Sequence, residues 1–185
     1  MDAGSIAFMI ICASLVFLMT PGLAFFYGGL GRRKNVINTM MMCVIPIAVA
    51  SVMWMICGYS LSFGGDGSLI GNFSHLFFNG VSETASTRGL EIPDALFAAF
   101  QMMFPIITVA ILTGAAAGRM RFTPLIIFII FWLLLVYFPF AHMVWDEGLL
   151  AQWGTIDFAG GDVVHITSGV SGLGFGIGTW KTSRL

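Results

Sequence analysis

Two acids, two glycines and a histidine stand close together in residues 157–165, which read DFAGGDVVH. They open the last long apolar segment of the chain. Ionisable side chains within a membrane span are costly, so they are candidates for function wherever they occur. A neutral imidazole offers one hydrogen-bond donor and one acceptor, which suits a small polar solute. We therefore predict that His165 lines a pore.

The two acids of this stretch have different predicted roles. Asp162 stands three residues before His165, which is helical spacing, and we interpret it as an N-cap of the last helix. Asp157 is separated from Asp162 by Gly160 and Gly161, which predict a turn. Its carboxylate has two alternatives, either to order the loop backbone or to attract cations to the mouth of a pore.

Aromatic residues form a second group with possible binding chemistry. Phe97, Phe100 and Phe104 recur at helical spacing and therefore share one face, while Trp145 ends the fourth apolar segment. Such stripes are more often core or lipid contacts than sites, and tryptophan is enriched at membrane interfaces. The phenylalanines and Trp145 are both predicted toward the outer side of the membrane, however. Phe104 and Trp145 would therefore provide two walls of a cation–π cage.

The composition indicates the class of protein that must position these side chains. Of 185 residues, 58% are hydrophobic and 9% are charged, against about 25% charged in soluble domains. The formal net charge of -1 argues against a nucleic-acid partner. We find no pairing of nucleophile and base, no phosphate loop and no metal-ligand spacing, and we expect neither an enzyme nor a cofactor.

A membrane helix needs roughly 20 apolar residues, and five segments of the chain meet this requirement. They are residues 5–29, 37–63, 95–118, 124–145 and 163–180. The first begins without a basic region and is too long for a leader peptide, so we interpret it as a retained span. The predicted fold is an all-α polytopic membrane protein with one transmembrane domain, residues 1–185.

The charged residues sort by side of the membrane. One side has seven bases, Arg32, Arg33, Lys34, Arg119, Arg121, Lys181 and Arg184. The other side has one base, Arg88, and all nine acids, Asp2, Asp66, Glu83, Glu91, Asp94, Asp146, Glu147, Asp157 and Asp162. Positive charge stays in the cytoplasm, so the N-terminus is predicted outside and the C-terminus inside. A unit with an odd number of spans has its two ends on opposite sides of the membrane. Such a unit can be one half of a pair of inverted repeats, as in many transporters.

Several sequence blocks resemble the ammonium transporter family (Amt/Mep/Rh). The first is PGLAFFYGGL at residues 21–30 with RRKNV at 32–36. The others are RMRF at 119–122, AHMVW at 141–145 and the stretch 157–165. These blocks are distributed over nearly the whole chain, which is identified through them as a member of the family.

The resemblance implies a transport function. Family members are homotrimers in the plasma membrane with one pore per subunit, and they move ammonium or ammonia and substrates similar to methylammonium. Each pore is built from two inverted five-span repeats, usually followed by an eleventh helix. The resemblance therefore implies that this chain is the N-terminal half, a fragment of an eleven-span protein, with a cytosolic regulator as a further partner.

The same resemblance assigns roles to individual residues. Phe104 resembles the phenylalanine of the outer gate, and Phe100 is similar to its neighbour above the gate. Trp145 resembles the tryptophan of the external ammonium site, and Asp157 looks like the acid needed near that site. His165 resembles the first of the two pore histidines.

The chain also departs from the family pattern. The second histidine, the inner gate phenylalanine and the serine of the external site belong to the second repeat and are not in this sequence. Asp146 and Glu147 follow Trp145 where glycines are common in the family, and Asp162 replaces a small or hydroxyl residue. Extra acids at the vestibule predict a stronger attraction of cations.

Two other functions compete with transport. A sensor that binds ammonium and signals is expected to carry an appended cytoplasmic domain, which these 185 residues do not contain. A truncated, inactive gene product is the second alternative, and a reading frame that continues past Leu185 would argue against it.

The predicted orientation can be tested by cysteine labelling. We expect a cysteine at Ser82, in an acidic loop, to react with an impermeant thiol reagent added to intact cells. A cysteine at Met120, between two arginines, should stay unlabelled until the cells are opened. The reverse pattern would contradict the arrangement with the N-terminus outside.

Overall fold

The computed structural model describes residues 1–31 and 33–182, without the side chains of residues 179–182. Arg32, Lys181 and Arg184 contributed to the charge argument, but Arg32, Arg184 and the Lys181 side chain lie outside this described part. All regular elements within it are helical. The eight α-helices are α1 (Ala3–Leu30), α2 (Val36–Met53), α3 (Tyr59–Phe63), α4 (Asp94–Ala116), α5 (Phe122–Trp132), α6 (Phe138–Trp145), α7 (Leu149–Gln152) and α8 (Thr167–Thr182).

Three short π-helical turns join some of these helices into longer rods. Trp54–Gly58 connects α2 to α3, Leu133–Tyr137 connects α5 to α6, and Gly161–Ile166 leads into α8. Four of the described helical segments are long and apolar enough to cross a membrane, namely Ala3–Leu30, Arg33–Phe63, Asp94–Ala116 and Phe122–Gln152. They correspond to the first four predicted spans. The fifth predicted span is helical but rich in glycine, and its membrane crossing stays a prediction.

Helix α4 occupies the centre of the bundle, where it packs against α1, α2 and α8. A small residue explains the close approach of α1. A Cβ atom at Gly114 would lie 2.5 Å from the ring of Tyr27, and the Tyr27 hydroxyl donates a hydrogen bond to the carbonyl oxygen of Ile111 at 3.3 Å. Gly114 therefore permits the close packing of α1 against α4.

A second contact of this kind joins the α2–α3 rod to α6. Trp54 is almost fully buried, and its indole N–H donates to the carbonyl oxygen of Ala98 at 3.1 Å. The ring of Phe138 lies 5.9 Å from that of Trp54, over Gly58, where a Cβ atom would be only 2.6 Å from it. Aromatic burial of this size is a large part of the apolar core.

The outer surface of the bundle is strongly apolar. Helix α1 buries little besides Thr20, Ala24 and Gly28. Large apolar side chains along α1 remain exposed, among them Phe8, Ile11, Leu15, Leu18, Phe25 and Phe26. An exposed apolar surface of this extent is incompatible with water and typical of a protein in a membrane. The structure therefore agrees with a multi-pass membrane protein.

Asp157, rather than Asp162, caps the last helix. The Asp157 carboxylate accepts hydrogen bonds from the backbone N–H groups of Gly161 (2.7 Å), Asp162 (3.2 Å) and Val163 (3.0 Å). Gly160 makes this possible, because its φ of 76° folds the preceding loop back over the helix start. The predicted N-cap at Asp162 is wrong, because Asp162 already lies within the first helical turn.

The capping contact predicts a specific loss of stability. Asp157→Ala leaves three backbone N–H groups without their acceptor, and we expect the free energy of unfolding to fall by about 1–2 kcal/mol. Hydrogen exchange of the three amides should accelerate, as followed by mass spectrometry in detergent. Asp162→Ala is the matched control and should change neither quantity. Unchanged amide protection in Asp157→Ala would show that the carboxylate does not order this loop.

Candidate functional site

Three of the predicted site residues form one aromatic layer. The ring of Phe104 contacts Phe100 at a centroid distance of 5.0 Å and Trp145 at 5.5 Å. Both pairs are close to perpendicular, at 85° and 68°, which is a favourable geometry for aromatic rings. Because Phe104 and Trp145 touch, a cation that these rings stabilise would lie beside the pair and not between them.

The local fold explains why these rings meet. Phe100 and Phe104 are one helical turn apart on α4 and face the same way. The hydroxyl of Thr108 donates to the Phe104 carbonyl oxygen at 2.5 Å, one further turn along. Trp145 is the last residue of α6, so its indole reaches Phe104 from a second helix. Two rigid elements therefore fix the relative positions of the rings.

His165 lies near this layer, on the first turn of the last helix. Its neighbour Val164 is buried with Ile107 of α4, and Phe104 and Trp145 pack against the same cluster. The side chain of His165 itself is exposed in this chain, as is that of the next residue, Ile166. The structure brings the helix that carries His165 to the aromatic layer, and its pore-lining role stays a prediction.

Asp157 is engaged with the backbone and does not join the aromatic layer through any hydrogen bond or ion pair in the described residues. Its side chain is half-buried, and all three of its hydrogen bonds come from backbone N–H groups at the start of the last helix. The loop-ordering alternative for Asp157 is confirmed. A direct contact between Asp157 and a cation stays a prediction.

A cavity of about 600 Å³ opens beside Trp145. Its wall includes Tyr59, Phe63, Asp66, Thr87, Arg88, Asp94, Trp145, Asp146 and Glu147. Most of these residues come from the segment 64–93 or from helix ends next to it. The cavity is therefore a polar vestibule that leads to one edge of the aromatic layer.

Arg88 occupies a cage within this vestibule. Its guanidinium carbon lies 5.1 Å from the centre of the Phe63 ring and 5.0 Å from that of Phe97. One guanidinium nitrogen is 2.6 Å from a carboxylate oxygen of Asp146, and another donates to the carbonyl oxygen of Phe63. Burial lowers the pKa of Arg88, but the hydrogen bond and charge of Asp146 more than offset this and raise it.

His142 completes the polar cluster at the end of α6. The ring is fully buried, with Nδ1 3.1 Å from the carbonyl oxygen of Ser62 and Nε2 2.5 Å from that of Gly67. Nδ1 also lies 3.5 Å from the second carboxylate oxygen of Asp146. These contacts tie α6 to the end of α3 and to the segment that follows it, which gives His142 a structural role.

The sequence pointed to the aromatic layer but missed the cluster around Arg88. Phe97 shares a helical face with Phe100 and Phe104, yet its ring packs on Phe63 at 5.2 Å and on Arg88. One signal was available, because Arg88 is the single base among the residues predicted outside. A lone base among acids and aromatic residues favours an internal ion pair, although its partner cannot be identified from spacing.

The sequence and the fold are both similar to those of known proteins. The family model described as Ammonium Transporter Family matches residues 7–182. A protein of Bacillus subtilis named ammonium transporter is 47% identical over 173 residues, which are 94% of this chain and 43% of that protein. A putative ammonium transporter of Methanothermobacter thermautotrophicus is 46% identical over 97% of this chain and 44% of its own length.

A solved structure supports the same relationship. The crystal structure of Saccharomyces cerevisiae Mep2 matches with a TM-score of 0.84 and 35% sequence identity, over 93% of this chain and 41% of that one. The chain thus spans less than half the length of the relatives that it matches. These relatives carry the names of transporters and not of enzymes. With its matched residues, its helical bundle and its apolar surface, the chain belongs to the Ammonium Transporter Family.

Proposed function

We propose that this chain is the first five-span repeat of a longer transporter that moves ammonium or ammonia across the plasma membrane. The observation that carries the proposal is the aromatic layer of Phe100, Phe104 and Trp145 next to a polar vestibule. An aromatic surface next to a polar cavity attracts a cation that enters the cavity. The same apolar rings are a barrier to a cation that keeps its shell of water.

Recruitment of the substrate begins in the vestibule. Ammonium has the charge and size for a cation–π contact with an indole, the strongest of the aromatic side chains in this respect. Trp145 and Phe100 are the proposed contacts. Asp157 acts close to them by holding the start of the last helix, and its negative charge favours cations at this end of the pore. Methylammonium presents the same charge and is the expected alternative substrate.

Passage through the pore requires that the substrate lose its charge or its water. Phe104 is the proposed gate, because its ring lies between Phe100 and Trp145. A bare cation in an apolar lumen is penalised by several kcal/mol or more. Deprotonation before passage, with the proton carried separately, removes this penalty. His165 is the proposed hydrogen-bonding group of the lumen, since a neutral imidazole both donates and accepts.

The second half of the pore must come from outside this chain. The exposed surface of the last helix includes His165, and Ile166, Val170, Leu173 and Ile177 on it are each more than half exposed. We propose that an inverted second repeat covers this side, that three such subunits form a homotrimer, and that a cytosolic regulator binds the inner face. The five crossings with the N-terminus outside belong to the same proposal.

Replacement of Trp145 tests the recruitment step. Trp145→Leu removes the indole face but keeps an apolar side chain, so the full-length protein should bind ammonium more weakly, by up to about 2 kcal/mol or roughly thirtyfold in affinity. The measurement is the concentration dependence of labelled methylammonium uptake. Trp153→Leu is the control for loss of an indole elsewhere, because Trp153 is exposed and lies outside the layer, whereas Trp145 is partly buried in it. An unchanged concentration dependence in Trp145→Leu would return this residue to an interfacial role.

Expression of the two halves tests the completeness of the pore. The 185-residue chain alone should fail to restore growth on low ammonium in a host without ammonium transporters. Co-expression with a matching second repeat should restore growth, and His165→Ala should then reduce it. Robust uptake by the chain alone, lost in His165→Ala, would instead indicate a dimer of two oppositely inserted copies. The seven-to-one sorting of basic residues argues against such a dimer.

A further inference from the structure

The residue that follows Trp145 connects three parts of the outer surface. One carboxylate oxygen of Asp146 pairs with Arg88 at 2.6 Å, and the other lies 3.5 Å from Nδ1 of His142. The guanidinium of Arg88 lies against both the Phe63 and the Phe97 ring, beside the contact between them. Through Arg88, Asp146 thus links the end of α6 to Phe63 at the end of α3 and to Phe97 near the start of α4.

The backbone just after Asp146 is also fixed by contacts with other segments of the chain. The N–H of Leu149 donates to the carbonyl oxygen of Ser68 at 2.8 Å. Gly148 sits so close to the end of α6 that a Cβ atom there would be 2.5 Å from the Cα atom of Met143. The backbone of Trp145 is therefore fixed on its polar side, while its indole contacts Phe104 on the other side.

The charge of Asp146 is balanced within the protein, unlike that of the next acid. Asp146 is largely buried, with a side-chain exposure of 11%, and its partner is a full positive charge. Glu147 lines the same cavity but is exposed, and its carboxylate has no hydrogen bond or ion pair among the described residues. Because the opposite charges of Asp146 and Arg88 largely cancel, the pair exerts little net electrostatic field at a distance. Attraction of cations is therefore a poor explanation for the role of Asp146.

We propose that Asp146 is a positioning residue for substrate binding, which holds the indole of Trp145 against Phe104 through its ion pair with Arg88 and its contact with His142. This inference rests on the proposed function, because it concerns the same ammonium site. It replaces the expectation that Asp146 strengthens the vestibule as an additional attracting acid. Asp146 acts through Trp145 and does not touch the substrate.

The test uses the full-length protein in membrane vesicles, with labelled methylammonium as the probe. Asp146→Asn keeps the shape of the side chain but loses the ion pair with Arg88. The indole of Trp145 should then be held less firmly against Phe104. We expect the half-saturating concentration to rise roughly three- to tenfold, with little change in the maximal rate per protein inserted in the membrane. In a Trp145→Leu background, Asp146→Asn should add no further increase, because its effect requires the indole.

Two comparisons separate positioning from charge. Glu147→Gln removes the same charge from the neighbouring residue, and its effect should be smaller and disappear in about 1 M salt, whereas that of Asp146→Asn should persist. The double variant Arg88→Gln/Asp146→Asn leaves no unpaired buried charge, which favours its folding, and it should also bind more weakly. Equal, salt-sensitive shifts in Asp146→Asn and Glu147→Gln would overturn the inference, as would wild-type affinity in the double variant.

The same experiment distinguishes a wrong inference from a wrong function. If the wild-type protein takes up methylammonium and the Asp146 and Trp145 effects simply add, the positioning role is wrong while ammonium transport stands. If the wild-type protein takes up no methylammonium and no ammonium at all, the proposed function fails first and the inference falls with it.

Discussion

The packing of α4 against three other helices is the constraint on which the rest of this structure depends. Helices α1, α2 and α8 all contact it. Close-packed protein interiors deform little. Close approach is possible because Gly114 leaves room for the Tyr27 ring. The same helix carries Phe100 and Phe104 on one face, so the aromatic layer is placed by the core of the bundle and not by a loop.

Two aromatic arrangements with different roles lie next to the polar cavity. Arg88 lies against the first, the contacting rings of Phe63 and Phe97, and its charge is balanced by Asp146. The second is the layer that ends in Trp145, whose indole also lines the vestibule. Cation–π attraction is the same in both cases. The guanidinium of Arg88 stabilises the fold in the first, and in our proposal the second offers an aromatic surface to the substrate cation.

Much of this architecture could be predicted from the sequence, because membrane spans are long apolar segments with a simple signal. The first four predicted spans correspond closely to helices Ala3–Leu30, Arg33–Phe63, Asp94–Ala116 and Phe122–Gln152. The π-helical turns were not predicted. Trp54–Gly58 and Leu133–Tyr137 continue apolar segments whose composition does not mark a change in hydrogen bonding. Gly161–Ile166 begins where the sequence predicted only a turn and a helix cap.

The site residues show a similar division between local and distant contacts. Phe100 and Phe104 are one helical turn apart, so their common face follows from spacing alone. The pairing of Arg88 with Asp146 spans 58 residues of sequence, and no local pattern specifies it. The sequence order predicts Asp162 as the helix cap, because it directly precedes the apolar segment. The left-handed turn at Gly160 instead brings the earlier carboxylate, that of Asp157, over the helix start.

The two exposed faces of the chain require different surroundings. Helix α1 presents Phe8, Ile11, Leu15 and other apolar side chains, which lipid tails can cover without any loss of hydrogen bonding. The last helix is also exposed at the apolar residues Ile166 and Val170, but the imidazole of His165 is exposed next to them. An ionisable group that faces lipid is costly, whereas one that faces protein or a cavity can be given partners. The exposure of His165 therefore supports the proposal that protein, and not lipid, covers this part of the helix.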